Sequence, residues 1–309
     1  MEKRHIGELE VSVVGLGCNN FGGRTDAAGT TAVVDAAIEA GITYLDTAEV
    51  YGDGRSEELL GAALRGRRDQ VLIATKWGHD AGLGERVGAP EVVRRRLEAS
   101  LQRLGTDRID HYQMHRPDPQ TPVEETLGAL AELRAEGKIR EIGATHLSAD
   151  ELRHAHAVGA DLEVEAWPSL QNHSSLLTRD PETDGVFDAC RELGVAFVPY
   201  FPLESGLLTG KYRLGQSLPE GSRLAGMPED RAARFISEER LATVERLIAW
   251  AADHGRALLD LAMSWHTSNP LVATVIAGAT RPEQVHANVA AAGWALSEAE
   301  KDEVRALLG

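Results

Sequence analysis

The sequence predicts an α/β protein folded as a closed (β/α)8 barrel, the TIM-barrel architecture. Three observations lead there: eight short apolar runs, an amphipathic stretch after nearly every run, and no Pro- or Ser-rich linker dividing the chain. The runs cover residues 13–17, 43–47, 71–76, 108–115, 139–145, 162–167, 196–201 and 273–278. Short, mostly apolar strands are those covered on both faces. Strands that each lead into a helix pair in parallel through right-handed crossovers, and eight of them close most simply as a barrel. The rival is an open doubly wound sheet. Its fingerprint G-x-G-x-x-G is incomplete here, because Gly15-Leu16-Gly17-Cys18-Asn19-Asn20 ends in Asn.

Helix starts are legible as a Ser/Thr cap with Glu three residues on: Thr121 with Glu124, Ser148 with Glu151, Thr280 with Glu283, Ser297 with Glu300. Pro122 falls at the first helical position, where its missing N–H is harmless. Gly41, Gly66, Gly105, Gly137, Gly159 and Gly194 each follow a helical stretch, as left-handed C-terminal residues do. Arg4, Leu9 and Val11, with Gly7 at the turn, predict an N-terminal β-hairpin laid over the barrel's N-terminal mouth. The connection 202–237, after the seventh strand, is too long for an ordinary loop and holds five glycines, Gly206, Gly210, Gly215, Gly221 and Gly226. Residues 1–309 read as one domain.

Composition narrows the function classes. The 309 residues carry 32 Lys+Arg against 48 Asp+Glu, a formal charge of −16, and a pI near 5.1 argues against non-specific binding to polyanionic nucleic acid or membrane. The N-terminal Met1-Glu2-Lys3-Arg4-His5-Ile6-Gly7-Glu8 lacks the apolar core of a signal peptide. The longest apolar run, 271–279, is too short to cross a bilayer. Cys18 and Cys190 read as free thiols of a cytoplasmic protein.

Active sites of such barrels lie at the C-terminal ends of the strands. Those ends are polar here: Asp46-Thr47-Ala48-Glu49-Val50-Tyr51-Gly52, then Thr75-Lys76-Trp77-Gly78, then His115-Arg116-Pro117-Asp118. A carboxylate, a phenol, an ammonium and an imidazole therefore converge on one mouth. Singly, each has an ordinary explanation as a cap, a snorkelling side chain or a core histidine. Together at successive strand ends they can protonate a forming alkoxide. Lys76 would favour phenolate and lower the pKa of Tyr51, Asp46 would hold Lys76 charged, and His115 would orient the oxygen. The hydride for a carbonyl reduction must come from a cofactor. Metal ligation is the competing use. His111 and His115 stand about 13 Å apart on an extended strand, and an i, i+2 pair such as His154 and His156 diverges on a helix, so no metal site is expected.

These stretches, with Asp110…Tyr112-Gln113-Met114-His115-Arg116-Pro117-Asp118-Pro119, resemble the aldo-keto reductase superfamily over nearly the whole chain. Gly206-Leu207-Leu208-Thr209-Gly210-Lys211-Tyr212 is similar to its bacterial and potassium-channel-β-like branches. The resemblance implies Asp46, Tyr51, Lys76 and His115 as the catalytic tetrad and NADPH extended across the mouth, with NADH the lesser alternative. It implies Asn19, Asp46, Thr145, His146 and Gln171 near the nicotinamide end, with Thr145-His146 where the family carries Ser-Asn. Tyr200 would stack on the nicotinamide. Leu203, Ser205 and Lys211 would meet the pyrophosphate under the long connection, and Arg223 the adenosine phosphate. Gly278, Thr280, Gln284 and Asn288 match the final cofactor motif, where Ala287 departs from the usual Glu. Arg223, Arg281 and Gln284 favour NADP over NAD. Asn20, Trp77, His79 and Trp167 are expected to line the substrate pocket. The expected reaction is NADPH-dependent reduction of an aldehyde, ketone or ketosugar, and the alternative is an NADPH-binding regulatory or sensor subunit with negligible turnover. The expected partner is a small carbonyl compound, without nucleic acid or membrane.

Overall fold

The computed structural model describes residues 1–233 and 235–308. Its barrel is built from β3 (Val14–Gly17), β4 (Tyr44–Asp46), β5 (Leu72–Trp77), β6 (Ile109–Met114), β7 (Ile139–Thr145), β8 (Ser169–His173), β9 (Ala196–Tyr200) and β10 (Val275–Gly278), preceded by β1 (Lys3–Ile6) and β2 (Leu9–Ser12). The eight strands are parallel in the order β10-β3-β4-β5-β6-β7-β8-β9. The Phe197 N–H donates to Leu271 O and the Ala273 N–H to Phe197 O, both at 2.9 Å, joining the last two strands and closing the ring. The long helices around it are α1 (Ala27–Glu39), α2 (Arg55–Ala63), α3 (Pro90–Leu104), α4 (Val123–Ala135) and α5 (Ala149–Asp161), then, after a short α6 (Asp180–Thr183), α7 (Val186–Leu193). A short α8 (Glu229–Ala232), α9 (Glu238–Asp253), α10 (Leu258–Thr267), α11 (Pro282–Ala291) and α12 (Glu298–Leu308) complete the chain.

The hairpin forms as the sequence predicts, pairing Arg4 with Val11 and Ile6 with Leu9. Its Ile6, Leu9 and Val11 pack on Tyr44, Ala74, Val198 and Ile276 inside the barrel floor. Gly7 turns at φ 52° against Glu141, where a Cβ would sit 2.6 Å from the carboxylate. The Arg4 guanidinium donates to the carbonyls of Thr267, Asn269 and Val272, tying the hairpin to the end of α10.

Strand alternation sorts side chains into two sets. On β6, Tyr112 and Met114 face the helices, whereas His111 and Gln113 face the barrel axis. His111 belongs to a lower polar layer: its Nδ1 is 2.7 Å from Tyr44 Oη and its Nε2 is 2.9 Å from Ser169 Oγ. Burial holds its pKa down at about 4, so the layer is neutral.

Several local expectations need correction. The sixth barrel strand is Ser169–His173, not 162–167. Leu162 caps α5, and Val164, Ala166 and Trp167 reach the core from a connection. Hydropathy misses β8 because Ser169 and Gln171 satisfy their polarity inside the barrel. Gly159 lies within α5 rather than after it, and a Cβ there would be 2.9 Å from Val164 O. The Ser148 and Ser297 boxes form as expected. Thr121 does not cap: α4 begins after Pro122, and the Thr121 hydroxyl donates to Asp118 instead. At α11 the N-cap is Arg281, and Thr280 gives both its N–H and its hydroxyl to Gln284 Oε1.

Two helical glycines separate packing from propensity. Gly61 in α2 sits against the end of α3, where a Cβ would fall 2.2 Å from Leu104 O, whereas nothing lies within 4 Å of a Cβ on Gly128 in α4. Gly61→Ala should lose about 1–3 kcal/mol by overpacking, and Gly128→Ala should gain about 0.5–1 kcal/mol from helix propensity. Urea unfolding midpoints check both; shifts of the same sign would refute this packing.

Candidate active site

The upper polar layer of the barrel is organised by Asp46 at the end of β4. The buried Lys76 Nζ donates to Asp46 Oδ1 at 2.5 Å and to Thr47 O at 3.0 Å. Asp46 Oδ2 accepts from Gln113 Nε2 at 3.0 Å and Gln171 Nε2 at 3.1 Å. Burial alone would drive the ammonium pKa down. Asp46 and the neighbouring Tyr51 outweigh it, so Lys76 titrates above its ordinary value. Gln113 has no assigned role in the sequence reading, although the period-2 sequence His111, Gln113, His115 is its signal.

Tyr51 stands above this pair on the turn between β4 and α2. Its N–H donates to Ala48 O and its carbonyl accepts from the Ser56 N–H, both at 3.1 Å. Glu49 braces the same turn by accepting from the Gly78 N–H at 2.9 Å and from Arg96 at 2.6 Å. Lys76 Nζ is 5.3 Å from the centroid of the Tyr51 ring, and the His115 ring lies edge-on at 6.0 Å. One expectation is overturned here. The Tyr51 pKa is raised, not lowered, because burial outweighs the help that Lys76 gives the phenolate. The phenol is therefore protonated at neutral pH, beside a charged ammonium.

His115 is fixed through its backbone: its N–H donates to Trp77 O at 2.7 Å, and its carbonyl accepts from Thr145 Oγ1 and His146 Nδ1. Burial, then the Lys76 charge, hold its pKa down at about 2. It is a neutral imidazole whose buried Nδ1 has no partner. His146, at φ 62°, places Nε2 3.0 Å from the Tyr200 hydroxyl. Its pKa is lowered, chiefly by burial.

A cavity of about 760 Å³ runs from these groups along the mouth. Its lining includes Asn19, Asn20, Asp46, Tyr51, His79, His115, His146, Gln171, Tyr200, Leu203, Ser205, Lys211, Arg223, Gly278, Thr280, Gln284 and Asn288. Asn20, expected at the substrate, instead donates to Ala279 O at 3.3 Å and accepts from Arg223 at 3.5 Å, which places it with the last strand. Lys76 and Thr145 lie beneath the wall, both 1% exposed. Trp77 and Trp167 are not on the cavity. Because Lys76 points inward, Trp77 points to the helices, where it stacks on Tyr112 at 4.5 Å and donates to Val87 O. Trp167 is fully buried in the core behind β8, which follows from the shifted strand. Arg24, Arg116 and Phe201 also face the cavity, and the sequence reading gives them no role. Among the described residues no group of three or more His, Cys, Asp or Glu side chains could hold a metal ion.

The connection over the cavity is strained and clamped. Phe201, Glu204 and Ser205 have φ of 52°, 46° and 56°, a left-handed conformation that non-glycine residues avoid. Glu204 anchors them from within, accepting from Ser175 Oγ at 2.6 Å, Thr178 Oγ1 at 2.8 Å and Arg240 at 2.8 Å, with His173 Nε2 at 2.9 Å. Burial would raise its pKa, but these partners hold it at about 2. The turn presents Ser205, whose hydroxyl is buried without a partner. With Lys211, Arg223, Arg281 and the N-terminus of α11, it makes a wall suited to phosphate groups. Gly278 leaves room there: a Cβ would lie 3.1 Å from Asn20 Nδ2. The donor set therefore fits an extended phosphorylated cofactor.

Residues 13–308 match the model of the aldo/keto reductase family. The chain belongs to that family: it is an oxidoreductase built for carbonyl reduction. It is 36% identical to the protein named aldo-keto reductase str7 of Strobilurus tenacellus, over 98% of this chain and 91% of that one. It is 34% identical to probable aldo-keto reductase 1 of Glycine max, over 96% and 85%.

Two outcomes follow from the buried charges. Asp46→Asn leaves Lys76 charged without a countercharge and should lose about 3–5 kcal/mol, and adding Lys76→Met should recover much of that. Urea titrations decide, and no recovery would contradict the pairing. Glu204 stabilises its turn fully above about pH 4.5, and that contribution is lost as pH falls towards its folded value of about 2. Protection of the 203–208 amides relative to their intrinsic exchange rates should therefore fall below pH 4.5 in the wild type, while Glu204→Gln should show low protection throughout; matching profiles would refute the clamp.

Proposed function

We propose that this chain reduces an aldehyde, ketone or ketosugar to the alcohol with NADPH, using Tyr51 as the general acid. The observation that carries the reading is the contact of the protonated Tyr51 phenol with Lys76 and His115 on the wall of one long cavity. When bound, the nicotinamide supplies the hydride. Tyr51 gives its hydroxyl proton to the carbonyl oxygen, and the Lys76 ammonium stabilises the phenolate left behind. His115, neutral near pH 7, donates a hydrogen bond to that same oxygen.

The remaining polar groups hold the cofactor. Gln171 gives its N–H2 to Asp46 and Gln113, so its carbonyl oxygen is the end a carboxamide meets. Tyr200, steadied by His146, offers an aromatic face to the nicotinamide, with Asn19 beside it. Thr145 acts from beneath, by fastening His115. Leu203, Ser205 and Lys211 take the pyrophosphate, and Gly278, Thr280, Gln284 and Asn288 the adenosine end. Arg223 and Arg281 support NADP over NAD, since a 2′-phosphate adds charge for guanidinium groups to bind. The Gly206–Tyr212 stretch supports the bacterial and potassium-channel-β-like branch. His79 is left for the substrate side, whereas Asn20, bonded to Ala279 O and Arg223, goes with the cofactor end. We further propose that residues 1–309 act as one catalytic domain in the cytoplasm, where free Cys18 and Cys190 stay reduced.

Tyr51→Phe should lower kcat for an aldehyde panel by roughly 10²–10⁴, while the NADPH Kd, read by quenching of protein fluorescence, stays within about twofold. Wild-type turnover in the variant would overturn the mechanism.

A further inference from the structure

Charge is distributed unevenly over this molecule. The whole chain carries −16, yet Arg24, Arg116, Lys211, Arg223 and Arg281 line the cavity, and among the described residues its one lining carboxylate, Asp46, is already paired with Lys76. Several guanidinium groups elsewhere sit in ion pairs, among them Arg68 with Asp110, Arg96 with Glu49 and Asp80, and Arg103 with Glu57.

Arg116 differs from the other cavity cations in where it lies. Lys211, Arg223 and Arg281 belong to the long connection and to the approach to α11, at the phosphate end. Arg116 directly follows His115, on the wall shared with Tyr51, His79 and His146. It is exposed to the cavity and makes no ion pair or hydrogen bond among the described residues. The nearest carboxylate in sequence, Asp118, is turned away from it, accepting from the N–H groups of Gly88 and Gln120 and from Thr121 Oγ1. The charge of Arg116 contributes to lowering the pKa of His79, His115 and His146, below the effect of burial, while Asp80 and Glu49, both already paired with Arg96, act on His79 in the opposite sense. An exposed guanidinium at the cavity wall, with no partner of its own among the described residues and neutral imidazoles beside it, is a ready partner for an oxyanion, which it binds through two parallel N–H donors.

We propose that Arg116 is a specificity-determining residue and that the substrate is an anionic carbonyl compound, an aldehyde or ketone bearing a carboxylate or a phosphate. This rests on the reductase reading above. The carbonyl oxygen meets Tyr51 and His115 while the anionic group of the same molecule reaches Arg116. The class of reaction that supplies such a substrate is one that leaves a free aldehyde or ketone on an organic acid or sugar phosphate.

The test uses the full chain and two matched pairs: 4-carboxybenzaldehyde against methyl 4-formylbenzoate, and glyceraldehyde 3-phosphate against glyceraldehyde. Each is measured as kcat/KM with NADPH and as Kd for the NADP⁺-loaded protein, for the wild type and Arg116→Gln. A charge-assisted contact is worth about tenfold or more. The wild type should prefer the charged member of at least one pair by about tenfold or more, and the pair that shows it separates carboxylate from phosphate. Arg116→Gln should cut that preference to about threefold or less, through KM and Kd, with the NADPH Kd shifted by less than about twofold. No preference in either wild-type pair would overturn the proposal. So would a variant that weakens charged and neutral members alike, or that weakens NADPH binding as much as substrate binding. If NADPH is never oxidised, carbonyl reduction fails as the reading, and the Kd ratios alone still decide for or against Arg116.

Discussion

The buried contact between Lys76 and Asp46 is the constraint on which the mouth of this barrel depends. An ammonium at 1% exposure beside a carboxylate at 2% is tolerable only because further partners satisfy both ends. Thr47 O takes a second Lys76 proton, and Gln113 and Gln171 give Asp46 two donors from β6 and β8. Strands from three sides of the ring are thus drawn to one carboxylate. The consequence is chemical as well as structural: a charged ammonium is fixed under a phenol that burial keeps protonated. On the proposed mechanism this sets a proton donor beside the charge that would stabilise its conjugate base.

The outer wall is built on a different principle. Phe201, Glu204 and Ser205 hold left-handed backbone that roughly 1–3 kcal/mol per residue would relax. Glu204 over-determines the conformation with donors from β8, from the turn after it and from α9. Leu207, Leu208, Tyr212 and Leu224 then bury the connection in a second core with Val244, Leu247, Leu261 and Val304. Strain and anchoring together aim the unpartnered Ser205 hydroxyl into the cavity wall. A loop long enough to look unstructured is therefore held by two kinds of force.

The barrel was legible because parallel strands covered on both faces are apolar and their helices carry caps that act locally. Ser148 and Ser297 read correctly for that reason. Legibility failed where tertiary contacts competed with local rules. The strand Ser169–His173 is polar because its inward side chains bond across the barrel, so an apolar connection looked more like a strand. Thr121 and Thr280 have the right spacing for caps but find better partners in Asp118 and Gln284. At the site, Asp46, Tyr51, Lys76 and His115 stand out because a carboxylate, a phenol, an ammonium and an imidazole follow successive strands of one face, although each alone has an ordinary explanation. Trp77 was misjudged by a single residue of register, since alternation sends it to the helices once Lys76 faces inward. The raised pKa of Tyr51 was not readable at all, because burial is a property of the assembled mouth.

The Lys76 charge acts on the Tyr51 phenol across this buried layer. The most direct measurement of that coupling is a tyrosine ring-carbon NMR titration of Tyr51 in the wild type and in Lys76→Met. The wild-type phenol should remain protonated through neutral pH, and loss of the ammonium should move its titration to still higher pH. An unchanged titration on removing the charge would contradict the coupling.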